Sequence, residues 1–294
     1  MKTPLISVII PTHNSASTIQ NCIESLISTS FSRDKFEIII VDDGSTDETV
    51  NIAKRIGVDK IIETHQCFPG IARNIGVRDA RGEFLAFLDS DCKIKVGWFE
   101  SIIDELQKIQ AMSGPIENGN THSLVAWAEY FIEFGGFDYN RKQTSLRFLP
   151  GCNQAIQKET FEKAGGFSNV RASEDVIFGE SLKKINVKPV FIKNFQILHL
   201  CRTKLSNVVS NTRLLGRYTV VARRTFPALR YSSVVISRWG IPLIFFSKIL
   251  KSCKYAISAK KTIKFILSFP IILIIVGSFC KGAWMELSDG SHKN

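Results

Sequence analysis

Phe84-Leu85-Ala86-Phe87-Leu88-Asp89-Ser90-Asp91 is a run of five apolar residues that stops at two carboxylates. An unbroken apolar run of this length reads as a strand buried on both faces, as in a parallel sheet covered by helices, and such sheets bind ligands at the carboxyl ends of their strands. Two aspartates at i and i+2 in that position suit a hard divalent cation and a ribose hydroxyl. One carboxylate can give an oxygen to the cation and the other to the hydroxyl, which suits a magnesium or manganese nucleotide better than a transition metal. The alternative is a solvated turn, because a lone Asp-x-Asp arises often by chance.

The chain upstream repeats the same theme. Leu5 to Ile10 is an apolar run closed by Pro11-Thr12-His13-Asn14, and Ile19, Cys22, Ile23, Leu26 and Ile27 follow at helical spacing with Ser15 or Ser17 available as cap. A second strand, Glu37 to Val41, runs into Asp42-Asp43-Gly44-Ser45-Thr46-Asp47-Glu48, where glycine makes the turn and Ser45 or Thr46 caps a helix to about Ile56. A short strand from Lys60 to Glu63 and a helix from Gly70 to Ala80 complete an α/β, doubly wound pattern. Its strand ends carry His13, Asp43 and Asp89. Neither Gly-x-Gly-x-x-Gly after the first strand nor Gly-x-x-x-x-Gly-Lys occurs. A nucleotide would then be held by carboxylates that accept hydrogen bonds from a base imide and ribose hydroxyls, with a cation on Asp91 facing the diphosphate.

Pro11-Thr12-His13-Asn14, Asp42-Asp43-Gly44-Ser45-Thr46-Asp47, Asp89-Ser90-Asp91, Gly151-Cys152-Asn153, Gly165-Gly166-Phe167 and Glu174-Asp175 together, in this order, resemble glycosyltransferase family 2. The resemblance covers roughly residues 5 to 205. It implies a GT-A fold, a nucleotide-sugar donor expected to be UDP-linked, a divalent metal (Mg2+ or Mn2+) and inversion at the anomeric carbon. By motif position it makes Pro11, His13 and Asp43 base contacts with Asn14 beside them, Asp89 a ribose or metal contact, Asp91 the metal ligand and Asp175 the catalytic base. His13 stands where the family often has tyrosine, and no Gln-x-x-Arg-Trp follows Asp175, which argues against a processive polymer synthase. The expected division is a nucleotide-sugar-binding half over 1–115, an acceptor and catalytic-base half over 116–205, and a basic membrane-associating region over 206–294.

Displacing a nucleoside diphosphate requires charge stabilisation on the leaving phosphates and removal of a proton from the attacking hydroxyl. Asp175, where a loop enters a helix within Ala172 to Leu182, is the candidate base; the other reading is a pair of carboxylates favoured by the helix dipole. Arg73, on the helix before the Asp89 strand, is a candidate donor contact or a surface arginine. His199 follows the apolar Val190 to Leu198 segment as a metal or diphosphate contact or a structural histidine, and Arg202 and Lys204 beside it are candidate phosphate partners. Trp127, Phe131 and Phe134, at i, i+4 and i+7, read as a core stripe rather than a sugar or lipid platform.

The 294 residues, 45% of them hydrophobic, are enough for a substantial core. The seven cysteines include no Cys-x-x-Cys pair, which points to reduced thiols rather than zinc or disulfides. Leu5 to Ile10 is too short for a signal segment, so a cytoplasmic catalytic part is expected. Charge is divided: residues 1–182 hold 18 Lys+Arg against 25 Asp+Glu, whereas residues 183–264 hold 18 Lys+Arg and no acid. That basic stretch runs into apolar segments, Val234 to Leu250 and Phe265 to Cys280, so a cell membrane is the expected partner and nucleic acid is not. Phe265 to Cys280, extended to Trp284, just reaches a bilayer span. Val234 to Leu250 is broken by Arg238 and Lys248, and a two-span hairpin would place the four lysines of 251–261 outside, so an interfacial or re-entrant first segment is preferred. Buried helices of a soluble protein are the alternative. The expected acceptor is a lipid-linked or cell-surface glycan. A nucleotidyltransferase lacks support without a basic glycine-rich phosphate loop, and a non-catalytic binding protein sits poorly with Asp43, Asp89, Asp91 and Asp175 all present.

Overall fold

The computed structural model describes residues 3–65 and 67–289. It divides into two compact units, Met1–Pro115 with Gln143–His199 and Ile116–Lys142 with Leu200–Asn294. The first unit opens with β1 (Ile6–Thr12), α1 (Ile19–Ile27), β2 (Phe36–Asp43), α2 (Thr49–Ile56), β3 (Lys60–Thr64), α3 (Pro69–Asp79) and β4 (Phe84–Leu88). It continues through β5 (Cys92–Ile94), α4 (Trp98–Leu106) and β6 (Ala111–Ser113). After β7 (Ile116–Asn118) and α5 (Leu124–Glu133) of the second unit, it resumes with β8 (Asn153–Gln157), α6 (Lys158–Lys163), α7 (Glu174–Lys184), β9 (Val190–Phe191) and β10 (Ile197–His199).

Seven strands form one sheet in the order β3-β2-β1-β4-β8-β6-β9. β1 is parallel to β2 and β4, whereas β8 runs antiparallel to β4 and β6. The expected α/β, doubly wound arrangement is thus present up to β4 and gives way to a mixed sheet beyond it. Chain order reverses between β1 and β4, the topological switch point at which such sheets open a crevice for ligands. The strands qualify by composition: every residue of β4 is buried, as are all the Ile and Val positions of β1 and β2. α3 lies close on them because Gly76 has no side chain; a Cβ there would come within 2.5 Å of Ile9 Cγ2.

Two expected caps fall elsewhere. α1 is entered through the Ser15 carbonyl, which accepts from the Thr18 and Ile19 amides at 3.0 and 2.9 Å. At α2 the Ser45 hydroxyl is taken by Asp42 and the N-cap position is Glu48, while Asp47 just before it accepts from the Thr49 amide at 3.1 Å. The apolar run from Val190 to Leu198 is two short strands, because Lys193 and Asn194 turn out to solvent between them.

The second unit joins α5 to α8 (Leu205–Thr225), α9 (Ser232–Val235), α10 (Gly240–Ser258) and α11 (Thr262–Asp289). Trp127 and Phe131 are buried among Phe265, Ile272, Ile275 and Val276, as expected of a core stripe, while Phe134 is half-buried at its edge. α8 and α11 meet backbone to backbone: a Cβ on Gly216 would lie 2.0 Å from the Phe279 carbonyl oxygen, and one on Gly282 would lie 1.9 Å from that of Arg213. Among the described residues, α11 is the one helix long and apolar enough to cross a membrane. The segment expected from Val234 to Leu250 is broken before Gly240 and continues to Ser258.

Candidate active site

The adjacent acids at the end of β2 do different work because successive side chains of a strand point to opposite sides. Asp42 is buried and accepts from Thr12 Oγ1 at 2.9 Å, Ser45 N at 2.8 Å and Ser45 Oγ at 2.6 Å, which pins the turn. Asp43 is half-buried at the rim and accepts from the Cys67 amide at 2.7 Å. The loop after β1 is bonded to the loop after β2. His13 Nδ1 lies 2.8 Å from the Asp43 carbonyl oxygen, Asn14 N donates to Ser45 Oγ at 2.8 Å, and Asn14 Oδ1 accepts from Thr46 N at 2.9 Å. Asn14 holds a positive φ of 50° to do so, a conformation asparagine tolerates better than most residues. Pro11, His13, Asn14 and Asp43 are therefore neighbours at one rim of the sheet.

Arg73 is not at the surface: its side chain is 3% exposed. Nη2 donates to Asp89 Oδ1 at 2.7 Å and Nη1 to Glu174 Oε1 at 3.1 Å, and the guanidinium carbon stands 5.7 Å from the Phe167 ring centroid. Burial alone would lower the pKa of this arginine, but the Asp89 and Glu174 carboxylates outweigh it and hold the pKa above its ordinary value. Two motif stretches exist to seat this group. A Cβ on Gly151 would come within 2.6 Å of Arg73 Nη2, so only glycine leaves the guanidinium its place. The turn at Gly165-Gly166, both at positive φ, delivers Phe167, whose amide and carbonyl are bonded to the Asn74 side chain at 2.9 and 2.8 Å.

α7 starts at Glu174 behind Ser173, a non-glycine residue held at φ 73°. Glu174 reaches Arg73, and Asp175 Oδ1 accepts from the Val176 amide at 2.7 Å. Burial, with the neighbouring Glu174 charge, pushes the Asp175 carboxyl up to about 7, the range a general base needs near neutral pH.

Past β4, antiparallel pairing of β10 with β5 sets His199 opposite Cys92, next to Asp91. His199 Nε2 lies 3.4 Å from Asp91 Oδ1, and the ligand atoms of Asp91, Cys92 and His199 lie within 4.8 Å of one another. Burial and contact with Cys152 push the Cys92 thiol well up, so carboxylate oxygen and imidazole nitrogen are the available donors. That pair fits a manganese- or magnesium-type ion that keeps further positions open. Asp89 is bonded to Arg73 instead and is outside this cluster.

Arg202 and Lys204 belong to the second unit. The Arg202 amide and Nη1 donate to the buried Glu129 at 2.6 and 2.5 Å, so that arginine is engaged there, while Lys204 leads into α8. Sequence reasoning missed Glu174 as the partner of Arg73, Asn74 as the clamp on Phe167, and Glu129. Only Glu129 had a local signal, an acid inside the apolar helix Ala126-Trp127-Ala128-Glu129-Tyr130-Phe131.

Comparison with known proteins bears on the family and the fold. The sequence model of Glycosyl transferase family 2 matches residues 7–165. Glycosyltransferase AglE of Haloferax volcanii is 29% identical over 177 residues, which is 56% of this chain and 57% of that protein, so the chain spans under two thirds of that relative. Among solved structures, the mannosyltransferase PcManGT from Pyrobaculum calidifontis, in complex with GDP-Man and Mn2+, superposes with a TM-score of 0.66 at 17% identity over 98% of this chain and 88% of that one. Staphylococcus aureus TarS 1-349, in complex with UDP-GlcNAc, does so with a TM-score of 0.56 at 18% identity over 98% and 92%. At these identities the superpositions show a shared fold.

Proposed function

The chain belongs to glycosyltransferase family 2, and from that premise we propose that it moves a sugar from a nucleoside diphosphate sugar to an acceptor hydroxyl with inversion at the anomeric carbon. The observation that carries this reading is that one buried guanidinium ties the strand end bearing Asp89 and Asp91 to the helix start bearing Asp175.

In this reading His13 and Asp43 meet the base, Asp43 accepting from the imide of a uracil, and Asp89 takes a ribose hydroxyl with Oδ1 already fixed by Arg73. Asp91 and His199 are the residues that would hold a divalent cation. When bound, the cation supplies countercharge to the diphosphate as it leaves. Asp175 receives the proton of the acceptor hydroxyl: its Oδ1 is fixed by the Val176 amide, and its carboxyl is raised to the working range. Arg73 holds Glu174, and so the first turn of α7, in register with Asp89. Direct attack from the side opposite the leaving phosphate inverts the anomeric centre with no covalent sugar on the protein.

For the acceptor we propose a lipid-linked or cell-surface glycan at the cytoplasmic face of the membrane, which the apolar length of α11 and the acid-free basic stretch over 183–264 support. TarS of Staphylococcus aureus, 40% identical over 91 residues, is named as a poly(ribitol-phosphate) β-N-acetylglucosaminyltransferase, an enzyme that glycosylates a polymer. The test is thermal shift of the purified chain against UDP-, GDP- and other nucleotide sugars, each with Mn2+, Mg2+ or chelator. Metal-dependent stabilisation by UDP sugars alone supports the uracil assignment. Stabilisation by GDP sugars reassigns Asp43 to guanine, and none by any nucleotide sugar overturns the reading.

A further inference from the structure

The second unit leaves apolar surface in water along two helices. On α10, Leu243, Phe246, Leu250 and Ile257 fall at i, i+3, i+7 and i+14 and are 60% to 69% exposed, while Ser252 and Ala256 on the other side are buried. Trp239, 90% exposed, begins the same stripe. On α11, Ile263, Ile266, Ile274 and Met285 stay open while the opposite side is buried from Phe265 to Leu287. The connection over 259–261 is short, with Lys260 at φ 57°, so the two helices form an antiparallel hairpin. A helix facing water normally shows the reverse pattern, so these stripes await an occupant.

Charge chooses between a second copy and a lipid surface. No acidic residue occurs from Lys183 to Met285, and Lys251, Lys254, Lys260 and Lys264 are exposed along and between the stripes. Two copies of this face would bring lysines against lysines. Anionic headgroups complement them, with lysine stems lying along the apolar surface and ammonium groups reaching outward. Trp239 and Trp284 sit as the amphipathic rings of a membrane boundary do.

Orientation follows from what covers the other side. From Ile263 to Met285 α11 rises about 33 Å, close to a hydrocarbon thickness of about 30 Å, so length alone permits crossing. Yet α5 covers its first half and α8 its second, and α8 meets it with Arg217 on Glu286 at 2.7 Å, next to the Gly216 and Gly282 backbone contact. α8 runs alongside α11 in the same direction, Val209 at Ser278 and Arg217 at Glu286, so a crossing α11 would carry the start of α8, with Lys204 before it, into hydrocarbon. We propose that α10 and α11 form an in-plane docking face: the hairpin lies flat in the headgroup–acyl boundary of an anionic leaflet, and neither helix crosses it. This rests on the membrane-surface reading above and adds its geometry.

The test uses the full chain with Cys67→Ser and Cys253→Ser, the two cysteines that are not fully buried, and one new cysteine at a time, Ile263→Cys, Ile274→Cys or Met285→Cys, carrying an environment-sensitive fluorophore. Vesicles of phosphatidylcholine with phosphatidylglycerol contain lipids spin-labelled at shallow or deep acyl positions. In-plane docking predicts that all three labels are quenched best by the shallow spin label. Deep quenching at Ile274 with shallow quenching at both ends means that α11 crosses, which overturns the proposal and leaves membrane binding standing. No vesicle binding overturns both. Lys251→Gln/Lys254→Gln/Lys264→Gln, all at exposed positions, is expected to lose at least tenfold in binding to the anionic vesicles at unchanged thermal stability. Undiminished binding removes the charge argument that chose lipid.

Discussion

Replacing Asp175 by asparagine separates two consequences of one environment. Burial and the Glu174 charge raise the carboxyl from 3.8 to about 7 in the folded protein. The folded state therefore binds a proton that the unfolded chain has released between those values, and stability falls as pH rises through that window. At about 1.4 kcal/mol per unit the full shift corresponds to a ceiling of about 4 kcal/mol, and partial access to water reduces the expected effect to about 2 kcal/mol. The uncharged amide of the variant carries no such penalty and keeps an oxygen for the Val176 N–H. Asp175→Asn should thus match wild type at about pH 4 and exceed it by roughly 4–8 °C in Tm at about pH 8. Turnover should fall by about 10² to 10⁴ while nucleotide-sugar binding persists. For wild type, turnover should climb with pH to a plateau above about 7, as the base loses its proton. The assays are thermal melts across the pH range and donor titration beside initial rates. A Tm difference independent of pH, or a variant less stable at the alkaline end, would refute the raised carboxyl and with it the reason for choosing Asp175 as base.

Three further outcomes are expected. Asp91→Ala should abolish turnover and remove any shift in Tm that Mn2+ adds to donor binding, since His199 is then left without its carboxylate neighbour; activity retained in chelator would contradict this. Gly151→Ala should displace Arg73, costing about 1–3 kcal/mol in stability and lowering turnover through Glu174, as seen by denaturant melts beside rates; a silent substitution would show that the guanidinium has room to move. Ser173→Gly should raise stability by about 1 kcal/mol, because the left-handed backbone before α7 is strained for serine, and a loss in the same melts would mean that the serine side chain outweighs the strain.

Much of the first unit was legible because its signals are local. The Phe84 to Leu88 run is uninterrupted and its strand has those bounds. The helical spacing of Ile19, Cys22, Ile23 and Leu26 reproduces the buried face of α1. The site was legible as residues but not as a network. Arg73 pairs with Asp89 and Glu174, far apart in sequence, and no periodicity announces such a triad. The apolar C-terminal segments were ambiguous for a different reason: α11 is apolar on both its covered and its open side, so hydropathy alone cannot separate a spanning helix from a packed one.

The split of the second unit along the chain has a consequence for how the protein is made. α5 leaves the ribosome with Trp127 and Phe131 exposed, and the helix that covers them, α11, is completed roughly 150 residues later. At about 5–20 residues per second this is an interval on the order of 10–30 s. During it the nascent chain can finish β8 and the rest of the first unit, but it carries an uncovered apolar helix throughout. Synthesis close to a chaperone or a lipid surface would shield that face, and interrupting translation before α11 should yield a chain that aggregates, even though its sheet is complete.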